Sequence, residues 1–354
     1  MTSPLKNLVS KGAISMLVSA MALAASAQDA PPAWDPNYEP PRMEDGTPSF
    51  AGIWSKASLT VLERSPQFSD LVIPPAVAQR IEQGRAAATE AANAPRDPNE
   101  LEAPEAGQNV GGYNAFWTDP GTALGVIDGE YRSSWIIDPA DGQIPYTEAG
   151  REEAFSARQE ARENFDDPEI RMAGERCSVG FGSTGTPPML NVLYNNHVQF
   201  FQDGDTIRIL AEMNHNARII RMNTEHRDPE MRTWLGDSIG HWEGDTLVVE
   251  TTNFHPQNSV RSAIRHYLYL QPDSLVEERF TRVSDDVIHY EFTVTDPDLF
   301  TQPWTAEMPL WAAEGPIYEY ACHEGNYSLP GILAGARRQE ALAREAASEN
   351  SGGE

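Results

Sequence analysis

A mainly β protein, an antiparallel meander curled into a barrel or a strongly bent sheet with peripheral helices, is the fold this sequence predicts. Two observations carry that expectation. Between residues 192 and 321, Asp203-Gly204-Asp205, Glu243-Gly244-Asp245 and Ser284-Asp285-Asp286 each separate runs rich in β-branched and aromatic residues, which is hairpin patterning. The runs follow one another with no helical pattern between them, which favours a meander over a parallel α/β sheet.

The chain opens with Lys6 and Lys11, the apolar run AISMLVSAMALAA, and Ala25-Ser26-Ala27. A basic start, a short apolar stretch and a small-x-small site predict a signal peptide over residues 1–27, with the processed chain starting near Gln28. Residues 28–48 are rich in proline and acids and predict an extended leader. One β-rich domain is expected over 49–337, starting with a strand in SFAGIWSKAS. Helical insertions are expected near 75–93, with Val77, Ile81 and Ala88 on an apolar face, and near 147–165, with Thr147 as N-cap. EYRSSWIIDPADGQIP reads as a strand and a turn at Pro139–Gly142, and WTAEMPLW and GPIYEYAC read as two late strands. Residues 338–354 read as a helical to disordered tail.

Alternation places Val276, Glu278, Phe280 and Arg282 on one strand face, and Ile288, Tyr290, Phe292 and Val294 on one face of the next. A carboxylate and a guanidinium among apolar neighbours need partners. A rim ion pair is the simpler reading and a role in a pocket the alternative.

Lys and Arg number 26 against 53 Asp and Glu, a net charge of −27, and removing the leader takes away two lysines and no acids. Such a chain repels nucleic acid and anionic membrane surfaces. It attracts cations or neutral ligands more readily, although a solubility adaptation to the cell exterior is the plainer reading of the charge; the expected partner is a small-molecule ligand or substrate. No membrane insertion is expected after signal removal, since no other stretch reaches ~18 apolar residues. The two cysteines, Cys177 and Cys322, predict one disulfide in an exported chain, worth ~4–5 kcal/mol by loop closure. Free thiols or metal ligation are the alternatives, and an oxidising compartment disfavours both. The expected location is the periplasm or the exterior.

GGYNAFWTDPG, YRSSWIIDPADGQIP, GDSIGHWEGDTLVVETTNF, VEERFTRVSDD and GPIYEYACHEGNYSLPGILAGAR resemble segments found in this order in a large group of exported bacterial proteins. The resemblance runs from about Phe50 to Arg337. It implies a secreted, β-rich protein of a Gram-negative bacterium. It implies no catalytic residue, because no reaction is established for the group. His241 departs from the arginine many of those proteins carry before WEGDT.

No nucleophile elbow, phosphate loop, dinucleotide fingerprint or HExxH motif is present. The catalytic candidates are His215 and Arg218 in AEMNHNARII, as base and charge stabiliser, with Asp237 as an orienting carboxylate. His323 and Glu324 in YEYACHEGN are a second acid–base pair, fixed in place if Cys322 is bridged. A turn and a scaffold are the plainer readings of the same residues. Trp117, Tyr194, Trp242, Tyr320 and Asn326 are candidate ligand-binding residues. Trp135, Trp234 and Trp304 offer further flat surfaces, although tryptophans in a β protein are more often core. No cofactor is expected. A divalent metal on His215, His226, His323 and Glu324 has the right ligand types but matches no spacing template. The function expected is an exported hydrolase or lyase working by His/carboxylate chemistry. A binding protein with an aromatic-lined barrel pocket and a ligand-free envelope factor are the alternatives.

Overall fold

The computed structural model describes residues 31–93 and 118–351. The expected signal peptide and Trp117 lie outside the described residues. Strand β1 is Gly52–Ser55 and β2 is Val72–Ile73, followed by helix α1, Pro75–Asn93. Short strands β3 (Val126–Ile127), β4 (Glu130–Arg132) and β5 (Ile136–Asp138) precede helix α2, Glu148–Glu163. The main run is β6 (His197–Asp203), β7 (Thr206–Ala211), β8 (Ala217–Met222), β9 (Asp237–Glu243) and β10 (Thr246–Thr252). It continues with β11 (Val260–Ala263), β12 (His266–Tyr269), β13 (Leu275–Arg282), β14 (Val287–Thr295) and β15 (Trp304–Ala312). A helical turn, α3 (Cys322–Gly325), and a long helix, α4 (Ser328–Ser351), end the chain.

Nine strands close into a barrel in the order β1-β6-β7-β8-β9-β10-β13-β14-β15, with β15 returning to β1 and β5 also pairing with β15. The three predicted turns join β6 to β7, β9 to β10 and β13 to β14. Gly204 (φ 51°) and Gly244 (φ 61°) sit at two of these tips in left-handed backbone, which glycine adopts without a Cβ clash. Two features depart from a plain meander. β8 and β9 are parallel, joined by residues 223–236. Closure comes from β1, which pairs with β6 through Trp54↔Val198 and with β15 through Trp54↔Ala312.

Strand alternation sets the inside as expected: Val276, Glu278, Phe280, Ile288, Tyr290, Phe292 and Val294 are all fully buried. The rim ion pair does not form. Glu278 is inside, bound by Arg218 Nη1 at 2.6 Å and Nη2 at 3.2 Å. Arg282 instead donates to the backbone carbonyls of Ser49, Ser284 and Asp285. Thr147 caps α2 by accepting from Gly150 N. In α1 the buried residue is Ala78, and Ala88 is exposed, because only the first turns reach the small cluster of Ile73 and Leu124.

GPIYEYAC is not a strand. Residues 313–321 form no ladder, and Cys322 opens α3. Both neighbours of β15 are already taken, by β14 on one side and by β1 and β5 on the other, so no edge is left to extend. The disulfide Cys177–Cys322 is present and ties this segment to the loop before β6.

Candidate functional site

The barrel interior is filled. Phe50, Phe200, Phe280, Tyr290, Phe292 and Trp304 form an unbroken series of ring contacts with centroids 4.8–5.7 Å apart. Each of these six is at most 2% exposed, so they pack on one another and do not line an open lumen. Residues 182–192 are all buried and form a plug-like segment bonded to the interior through Met189 N and the Tyr290 hydroxyl. Polar groups in the plug are matched: Asn191 Nδ2 donates to Ser58 O and Thr60 O, and its Oδ1 accepts from Trp135 Nε1. Met189 N donates to the Tyr290 hydroxyl, which donates on to Glu278. Lys56 Nζ donates to Thr184 O at 3.1 Å.

The stretches flanking that segment, 172–181 and 192–193, and the β11–β12 hairpin enclose a cleft of about 450 Å³. Backbone bonds set the two walls: Ser262 N donates to Phe181 O and Ile264 N to Asn191 O. Met172, Phe181, Leu193, Val260, Ala263 and Tyr267 supply an apolar lining. Glu175, Arg265 and His266 bring the polar groups. A mostly apolar concavity of this size with a few polar groups is the usual build of a small-molecule site. Two of the lining residues, Phe181 (φ 47°) and Arg265 (φ 62°), hold left-handed backbone. Bulky side chains there cost of order 1–3 kcal/mol each, and such strain gathers at functional sites.

His266 is anchored from behind. Its Nδ1 lies 3.1 Å from Glu63 Oε2, and Glu63 Oε1 accepts from Ile144 N at 3.0 Å. Burial pushes the Glu63 carboxyl up, but the bonds from His266 and Ile144 outweigh it and hold it below its ordinary value. The ionised carboxylate fixes Nδ1 as the donor, which leaves Nε2 as the basic nitrogen of the neutral ring. Nε2 makes no hydrogen bond to another described residue.

The predicted site residues are spread over several places. Arg218 and Asp237 line one smaller cleft with Trp234 at the β8–β9 junction. Asp237 orients a histidine there, His226, whose Nδ1 lies 3.0 Å from Oδ2. Burial pushes the Asp237 carboxyl up, and the bonds from Arg227 N, His226 and Arg221 bring it below its usual value. His215 is exposed, in left-handed backbone, with Nε2 accepting from Tyr320 N. His323 and Glu324 are exposed on α3 and line none of the clefts described above. Tyr194 and Tyr320 stack with centroids 6.4 Å apart, next to Phe181. Trp242 packs against Phe50 and the core. Asn326 donates to Glu175 O and Cys177 Sγ, and its Oδ1 accepts from Leu329 N at the start of α4.

Among the described residues, His215, His226, His323 and Glu324 form no metal-ligand group. His289, Glu291 and Glu307 do have ligand atoms within 4.8 Å of one another on the outer barrel face. Glu307 is already balanced there by Arg132 and His289.

Fold and cleft together define a closed β-barrel protein with a small-molecule-sized cavity beside the barrel. No family model matches the chain, and no curated protein matches it. The His266–Glu63 pair carried no sequence signal, because its members are 203 residues apart and fit no spacing motif.

Proposed function

We propose that the protein is exported to the periplasm or the exterior and binds a small, largely apolar organic molecule in the cleft between Phe181 and the β11–β12 hairpin. The observation that carries this reading is the apolar cavity of about 450 Å³, with Leu193 half exposed at its wall. The leader-like N-terminus, the disulfide and the resemblance to exported bacterial proteins support the location. A neutral probe, N-phenyl-1-naphthylamine, should bind with one-site saturation and a fluorescence rise. Leu193→Asp places a charge in the apolar wall and should weaken binding at least tenfold while the fold is kept. Equal binding by both proteins contradicts the assignment.

His266 and Glu63 favour a second reading, a hydrolase using the same cleft. His266 Nε2 takes a proton from water, the resulting hydroxide adds to an ester carbonyl, and the alcohol leaves with that proton. Arg265 supplies positive charge for the oxyanion. A panel of p-nitrophenyl esters should then be hydrolysed above background, with the rate falling at least a hundredfold in His266→Ala and less in Glu63→Gln. Identical rates in wild type and His266→Ala contradict it.

A further inference from the structure

We infer that the cleft at the β8–β9 junction is a separate binding site for a small organic anion, a carboxylate or phosphate carried on a planar body. The parallel pairing of β8 and β9 is the origin of the cleft. Parallel neighbours cannot be joined by a tight hairpin. Residues 223–236 therefore travel back along the barrel, and Thr233–Gly236 arrive beside the start of β8. A cleft of about 230 Å³ results, lined by Arg218, Arg221, Arg227, Thr233, Trp234 and Asp237 among others.

Three arginines on one small cleft are notable in a chain of net charge −27. The carboxylate among the lining residues, Asp237, is saturated. It accepts from Arg221 Nη2 at 3.0 Å, from His226 Nδ1 at 3.0 Å and from Arg227 N at 2.8 Å. Donors remain after that. Arg221 uses only Nη2, with the rest of its guanidinium unbonded to described residues. The Arg227 guanidinium is half exposed and reaches Asp237 only at 3.8 Å. Arg218 is 1% exposed and held by Glu278 inside the barrel, so it adds positive charge behind the cleft and no free donor to it.

Trp234 lines the same cleft. Trp234 stacks on His255 with centroids 4.2 Å apart, and the Arg176 guanidinium lies 5.7 Å from its ring. Arg176 adds a further positive charge at the cleft edge. Glu225, Asp228 and Glu230 are exposed on the connecting loop but are not among the lining residues, and Glu250 stands 4.0 Å behind His226. Guanidinium groups pair with carboxylate and phosphate through two parallel bonds, and a flat ring fits the body of a planar anion.

Isothermal titration with benzoate and, separately, with inorganic phosphate tests the site. Benzoate should bind with one-to-one stoichiometry, and Arg227→Gln should weaken it at least tenfold. Arg227→Lys should recover part of the loss, and circular dichroism should show both variants folded. Phosphate binding without benzoate binding would keep the anion site and remove the planar body. No binding of either anion at millimolar concentration, or unchanged affinity in Arg227→Gln, overturns the inference. Neither anion is the neutral probe of the larger cleft, so failure here leaves that reading untouched.

Discussion

Glu278 shows how far single positions could be read. Alternation put it on the inner face correctly, but its partner Arg218 lies 60 residues away on a strand that is not its neighbour in sequence. Only barrel closure brings the two together. A buried pair of this kind is weak evidence for net stability, but breaking it leaves a charge without a counterion. Glu278→Leu should therefore cost about 3–5 kcal/mol in urea unfolding. Adding Arg218→Met should restore much of the loss, and a single-variant cost below about 1 kcal/mol would contradict the buried-pair account. Lys56 gives a test by pH. Burial is the largest influence on it and, with the nearby Arg218 charge, lowers its amine from 10.5 to about 7 against the opposing pull of Glu212. Between those values the unfolded chain holds a proton that the folded chain has released. The contribution of this group to stability therefore rises as pH goes from 7 to 10.5. Lys56→Met should then shift Tm more favourably relative to wild type at pH 7 than at pH 10. An identical shift at both values would mean that the amine is not desolvated. His266 stayed hidden for the same reason as the Arg218 pairing: its acid partner is remote in sequence.

The hairpins were legible because each carries its own information, an acidic or glycine-bearing tip between alternating runs. β10 and β13 are paired through Val249↔Glu278 although the β11–β12 hairpin intervenes, and no local pattern announces that. The parallel step from β8 to β9 was equally silent. GPIYEYAC misled because its alternation is real but its edge is occupied: β1 reaches β15 first. That leaves the C-terminal segment with few anchors. No residue of α4 with a described side chain is buried; beyond the disulfide, the segment is held by Tyr318 N on Glu212, Tyr320 N on His215 and its ring on Tyr194, Asn326 on Glu175 and Arg337 on Phe165 and Asp166. Loop closure over 145 residues is worth about 5 kcal/mol when both ends are rigid in the folded state. Here one end undocks easily once the bond is gone, so much of that gain is lost from the folded side as well. The double variant Cys177→Ser, Cys322→Ser should keep its barrel circular dichroism and lose only a few degrees in Tm. Limited proteolysis should instead cut it after about residue 313. Global unfolding of that variant at room temperature would show that the disulfide supports the barrel itself.

In the molecule as a whole, the barrel core and the proposed binding cleft are separate in space. The barrel is a filled scaffold: its aromatic residues pack on one another, among them Trp304, which the sequence left open between pocket and core, and residues 182–192 are buried against them. Two clefts lie outside it, one beside the β11–β12 hairpin and one where β8 and β9 run parallel. The β8–β9 step is a departure from a simple meander and the β11–β12 hairpin interrupts the run between β10 and β13, and for that reason sequence pattern alone located neither cleft. Arg218, Asp237 and Trp234 were found by residue type, and the topology brought them to one place. The structure of the protein crystallised with N-phenyl-1-naphthylamine decides the central point. The probe should lie between Phe181 and Tyr267 with the barrel rings undisturbed. Density for it inside the barrel, with Phe200 and Phe280 displaced, would contradict the assignment of the binding site to the outer cleft.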